Sequence, residues 1–153
     1  MEDPTISNVL VVAAGTYSLY ITVPGCANSL TGTVTVTVNT TPSNPAPASS
    51  NSPVCSGNDL SLTSATMGGM TYNWTGPNSF TSTDEDPVIT GVTTAASGTY
   101  SVTVTSAAGC VSTVTTTIAT INQTPAAPVA GSNSPLCTGV TLNLTATSTG
   151  TTY

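Results

Sequence analysis

The chain's 153 residues include no Lys, Arg or His, and its only charges are the carboxylates Glu2, Asp3, Asp59, Asp84, Glu85 and Asp86. With no cation to neutralise phosphate, nucleic-acid binding and docking onto anionic lipid are excluded. The longest apolar run, Val9 to Ala14, is six residues, far short of the roughly 20 that cross a bilayer as a helix, so no membrane insertion is expected.

Ser and Thr supply the polar surface that charged residues usually provide, and Thr, being β-branched, suits strands. In chain order, Gly15-Thr16-Tyr17-Ser18 opens a strand, and Val34, Val36 and Val38 alternate with Thr33, Thr35 and Thr37 in the clearest period-two run. Thr41 to Pro47 is a short, stiff linker, poor in backbone donors. Beyond it Leu60 and Leu62, then Tyr72 and Trp74, then Tyr100, Val102 and Val104 alternate with polar neighbours. Gly68-Gly69, Gly76-Pro77, Gly91 and Ala108-Gly109 punctuate these runs as turns. Thr124 to Pro128 forms a second linker, and no stretch has helical spacing.

The same words recur. Glu2-Asp3-Pro4-Thr5-Ile6 returns as Glu85-Asp86-Pro87-Val88-Ile89, and Ala14-Gly15-Thr16-Tyr17-Ser18 as Ser97-Gly98-Thr99-Tyr100-Ser101. Asn39-Thr40-Thr41-Pro42 returns as Asn122-Gln123-Thr124-Pro125, and Ser50-Asn51-Ser52-Pro53 as Ser132-Asn133-Ser134-Pro135. The offset stays between 82 and 84 residues, which predicts an array of supersecondary units. Residues 42–124 form one complete repeat, 1–41 match the second half of a repeat, and 125–153 the first half of the next. About seven short strands in such a unit predict an all-β fold of tandem immunoglobulin-like antiparallel β-sandwich repeats, with a period of about 83 residues. Half-repeats at both ends would leave strand edges unpaired, so the sequence is expected to be a window on a longer polymer of repeats.

Single residues fit that frame. Trp74, on the third strand of the repeat, is expected to pack in the core; the sharper alternative is an exposed platform for stacking sugars. Tyr17 and Tyr100, each at the opening of a strand, look like tyrosine corners whose hydroxyls tie down a loop. Asp84, Glu85 and Asp86 are candidate calcium ligands at a junction between repeats, because carboxylates and carbonyls are the hard oxygen donors that ion takes. A solvated acidic loop without any cofactor is the plainer reading and is preferred. Neighbouring carboxylates on an extended strand point to opposite faces, and no His or Lys can serve as base, so no enzymatic activity is expected. Asn39, Asn73, Asn122 and Asn143 each head an Asn-x-Ser/Thr triplet, a weak signal in so Thr-rich a chain.

Cys26, Cys55, Cys110 and Cys137 have no His partners and no CxxC spacing, which favours disulfides over zinc. Two pairings are open. Equal spacing slightly favours Cys55 with Cys110 inside one repeat; strand order favours a staple between the near ends of adjacent repeats, each cysteine pairing with one beyond the window or on a neighbouring chain. The N-terminus lacks the basic-then-apolar pattern of a secretory leader, so for an exported protein that segment is expected upstream or already removed.

Gly98-Thr99-Tyr100-Ser101-Val102-Thr103-Val104-Thr105, followed by Gly109-Cys110 and a Thr/Val strand, resembles the repeat of SprB-type adhesins of gliding Bacteroidetes. Pro53-Val54-Cys55-Ser56-Gly57, Leu60-Ser61-Leu62-Thr63 and Tyr72-Asn73-Trp74 resemble the Ig-like (PKD-like) domains of such surface proteins. The resemblance implies export by type IX secretion, display on the outside of a bacterial cell, and adhesion during gliding, with no catalytic residues. The expected function is thus a structural and adhesive module of an extracellular stalk or filament. Its partners would be neighbouring repeats, other filament chains, and surface polysaccharide or substratum. The alternative is a carbohydrate-binding accessory module of a secreted polysaccharide-degrading protein.

Overall fold

A computed structural model describes residues 3–147; Glu2 of the first acidic pair and residues 148–153 of the last segment lie outside that range. The protein is all-β, with short strands in several small, mainly antiparallel sheets and three single 3-10 turns among the described residues. In the first segment β1 (Gly15–Leu19) pairs antiparallel with β2 (Gly32–Val36), Gly15 opposite Val36.

The central segment carries nine strands: β3 (Ser49–Ser50), β4 (Val54–Cys55), β5 (Leu60–Thr63), β6 (Thr71–Gly76), β7 (Phe80–Ser82), β8 (Val88–Ile89), β9 (Gly98–Thr105), β10 (Thr115–Ala119) and β11 (Ile121–Asn122). They exceed the seven expected because two runs are broken. Pro53 has no N–H to donate, so the strand that begins as β3 against β5 ends there. It resumes as β4, paired in parallel with β11. The partner run breaks at Thr120, whose N–H and carbonyl both bond to the Ser52 hydroxyl while Val54 N donates to the same carbonyl at 3.1 Å. The last segment holds the antiparallel pair β12 (Val129–Ser132) and β13 (Leu144–Thr147).

One sheet runs β10-β9-β6-β7 and a second β3-β5-β8. Their inward side chains meet in a single core: Leu60 and Leu62 from β5, Tyr72 and Trp74 from β6, Tyr100, Val102 and Val104 from β9, with Val92, Ala96, Ala119 and Ile121 closing it. The period-two reading holds residue by residue along β9, where Thr99, Ser101, Thr103 and Thr105 face away from the core. Every core residue lies between Leu60 and Ile121, so residues 42–124 bury their own apolar surface without help from the flanking segments. That burial is the main term that offsets chain entropy.

The turn expected at Gly76-Pro77 is present, as the 3-10 turn Pro77–Ser79 between β6 and β7, and Gly76 has a second role. It ends β6 in an extended conformation, and a Cβ there would lie 2.3 Å from Cδ1 of Tyr100. The missing side chain is the space the Tyr100 ring occupies. That ring also meets Phe80 edge-on, with centroids 5.7 Å apart.

Candidate functional site

The central unit has two poles. Pro45, fully buried, seats the incoming linker at one pole, where its carbonyl accepts from Ala65 N at 3.3 Å. The Ser106–Cys110 turn that follows β9 lies at this same pole. Ala119 pairs with Gly98 at the far end of β9, so β11 and the outgoing linker leave from the opposite pole. There Ser56 N donates to the Asn122 carbonyl at 2.8 Å, and Thr124 N donates to the Ser56 hydroxyl at 3.0 Å. The Thr124 hydroxyl bonds back to the Ser56 carbonyl at 2.6 Å. The outgoing linker is therefore clamped to β4 rather than hung from it. Sequence inspection missed Ser52 and Ser56; their only signal was the recurrence of Ser52 as Ser134 and of Ser56 as Thr138.

The cysteines divide between the poles. Cys55 stands opposite Asn122 at the outgoing pole. Cys110 lies beyond the other end of β9, next to the Thr105–Val111 bridge, and its thiol donates to the Asn39 carbonyl at 4.0 Å. Eight residues of strand span about 23 Å, against the ~7 Å between Cα atoms that a disulfide tolerates. The pairing of Cys55 with Cys110 inside one repeat, which equal spacing favoured, is thus corrected: the sheet holds the two apart. All four cysteines are free thiols, Cys110 half-buried and Cys26, Cys55 and Cys137 exposed.

Trp74 is fully buried and its Nε1 donates to the Glu85 carbonyl at 3.1 Å, so it is core and not a sugar platform. The tyrosines behave alike. Tyr100 OH donates to the Ala96 carbonyl at 2.9 Å and Tyr17 OH to the Ala13 carbonyl at 2.8 Å, each four residues back across a 3-10 turn. Burial pushes the Tyr100 phenol above its usual pKa, since the interior penalises the phenolate. Tyr17 remains partly exposed.

The acidic residues take separate partners. Asp86 Oδ1 accepts from Ser64 N at 3.0 Å, Glu85 Oε1 from the Thr66 hydroxyl, and Asp84 Oδ2 from the Ser82 hydroxyl at 3.1 Å. They fasten the loop before β8 to β7 and to the end of β5; among the described residues no group of three acidic, Cys or His side chains is placed to hold a metal ion. Asp59, which the sequence did not single out, fixes the turn after β8 by accepting from Gly91 N at 3.0 Å.

An open apolar groove of about 700 Å³ lies on the first segment. Ile6, Val9, Ala13, Tyr17, Val36 and Val38 line it, and at a shift of 83 residues these become Ile89, Val92, Ala96, Tyr100, Ala119 and Ile121. The shifted set belongs to the central core or packs against it. Local geometry repeats as well. The β10–β9 register equals that of β2–β1, and Asn133 bonds to Thr141 and Asn143 as Asn51 bonds to Asp59 and Ser61. Among known proteins, no family model matches the sequence and no curated protein is significantly similar to it.

Proposed function

We propose that the chain is a segment of a tandem array of immunoglobulin-like sandwiches that works outside a bacterial cell as a stiff stalk, spacing and presenting an adhesive region. The observation that carries this reading is the placement of the incoming and outgoing linkers at opposite poles of a unit whose core is self-contained. Units of that kind add end to end, and each new unit lengthens the array without disturbing the last. The groove on residues 4–38 is then half of such a core, completed by a first-half segment of the same type, as residues 48–80 complete the central unit. A Ser/Thr-rich surface whose only charges are carboxylates, with no Lys or Arg, offers trypsin-like proteases no cleavage site, which suits an exposed stalk.

Pulling on a reduced concatemer of residues 42–124 tests the mechanical role. The expected trace is a row of equal steps, each releasing about 83 residues or ~300 Å of contour. Smooth extension without steps would remove the stalk reading. Antibodies against the unit should label intact cells, and labelling only after lysis would refute the extracellular location.

A further inference from the structure

We infer that adjacent units are covalently stapled by a disulfide between Cys55 of one unit and the Cys110 counterpart of the unit that follows. The inference rests on the array reading above and specifies its junction. Three placements lead to it. First, Cys55 is the register partner of Asn122 across the parallel β4–β11 pair, and the Asn122 carbonyl accepts from Ser56 N at 2.8 Å. Second, the residue one repeat before Asn122 is Asn39. Third, the carbonyl of that same Asn39 accepts the Cys110 thiol at 4.0 Å. The slot that Cys55 and Ser56 fill beside Asn122 therefore lies, one repeat earlier, beside Asn39 and within reach of Cys110. Paired strands stand about 4.8 Å apart, so the Cys55 counterpart lies one strand spacing from Asn39, the residue that Cys110 also meets.

The arrangement also explains why each repeat carries two cysteines at opposite ends. Cys55 faces forward and Cys110 backward, so every junction receives one thiol from each side. Cys26 and Cys137 occupy the Cys110 and Cys55 positions of the flanking half-repeats, and their counterparts fall outside residues 1–153. Closing the bond removes two protons and two electrons from the thiols. A disulfide such as oxidised glutathione accepts both, leaving as two glutathione thiols.

The test uses two joined copies of residues 42–124, oxidised with glutathione, and cleaved without reduction by cyanogen bromide at Met67 and Met70. These methionines separate Cys55 from Cys110 in every unit. The expected result is that the first and third large fragments travel together, the middle one travels alone, and free thiols fall from four to two. Cys55→Ser in the first copy should abolish the linkage, whereas Cys55→Ser in the second should leave it intact. The 153-residue chain should show no Cys55–Cys110 bond under the same conditions. A middle fragment joined to both others, or four free thiols with both copies of Trp74 buried by fluorescence, would overturn the staple and leave the array standing. Solvent-exposed Trp74 would mean the units do not fold and would overturn both.

Discussion

The contact between Gly76 and Tyr100 gives the sharpest energetic test of the core. Replacing Gly76 with Ala places a Cβ 2.3 Å from Cδ1 and 2.5 Å from Cε1 of the Tyr100 ring, where carbon atoms normally keep about 3.5–4.0 Å. The backbone at Gly76 is extended (φ −170°), so alanine meets no conformational penalty there and the whole effect is steric. The ring must retreat by more than ~1 Å. It is held by Phe80 at its edge and by the hydroxyl bond to Ala96. Overpacking costs about 1–3 kcal/mol, and losing the buried hydroxyl bond adds about 1 kcal/mol. A loss of about 3 kcal/mol is therefore expected, a large share of the ~4–12 kcal/mol that stabilises a domain of this size. Urea unfolding followed by Trp74 fluorescence measures it, with a lowered midpoint at unchanged slope. Pairing Gly76→Ala with Tyr100→Val should recover part of the loss, because the two side chains compete for one space. A Gly76→Ala variant within 0.5 kcal/mol of the parent, or strict additivity in the double variant, would refute the packing argument.

Three further outcomes follow from the same geometry. Tyr100 is neutral in the fold with its pKa raised by burial; its contribution is intact below the unfolded value near 10 and is lost as pH rises through the folded one. Thermal midpoints should thus decline above about pH 10, and Tyr100→Phe should flatten the part of that decline due to this residue while lowering neutral-pH stability by about 1 kcal/mol; an unchanged alkaline profile in the variant would refute the assignment. Thr115 Oγ1 is buried without a hydrogen-bond partner, so Thr115→Val should leave stability unchanged or raise it by up to about 1 kcal/mol in urea unfolding, and a clear loss would show that the hydroxyl is bonded. In force extension, oxidation should cut the contour available per interior unit to about one-sixth, since the shortest covalent path jumps each staple and then crosses only a linker such as the 27 residues from Cys110 to Cys137 for every two units; equal contours before and after oxidation would refute the staple.

How far the sequence could be read depended on which interactions were local. Period two along Tyr100-Val102-Val104 and Leu60-Leu62 located the strands and the core, because alternation in a strand is a direct consequence of backbone pleating. The two tyrosine hydroxyl bonds were legible for the same reason, each reaching only four residues back. The switch of the first strand from β5 to β11 was not legible, although Pro53 marks its position, because its pairing depends on a segment some 68 residues away. The role of Gly76 was hidden likewise. A glycine before a proline has the sequence of a turn, and only the cross-strand ring of Tyr100 reveals it as a space-maker. The cysteines show the limit most clearly: spacing suggested one pairing, strand order another, and the length of β9 rules out the first.

The central claim is that these units join pole to pole into a rod. Small-angle scattering from reduced concatemers of one, two, three and four copies of residues 42–124 tests it most directly. A rod requires a maximum dimension that grows by a constant increment per copy, at least about 23 Å given the length of β9, while the cross-section stays fixed. A cross-section that widens with copy number, or a dimension that grows only as the cube root of mass, would contradict it.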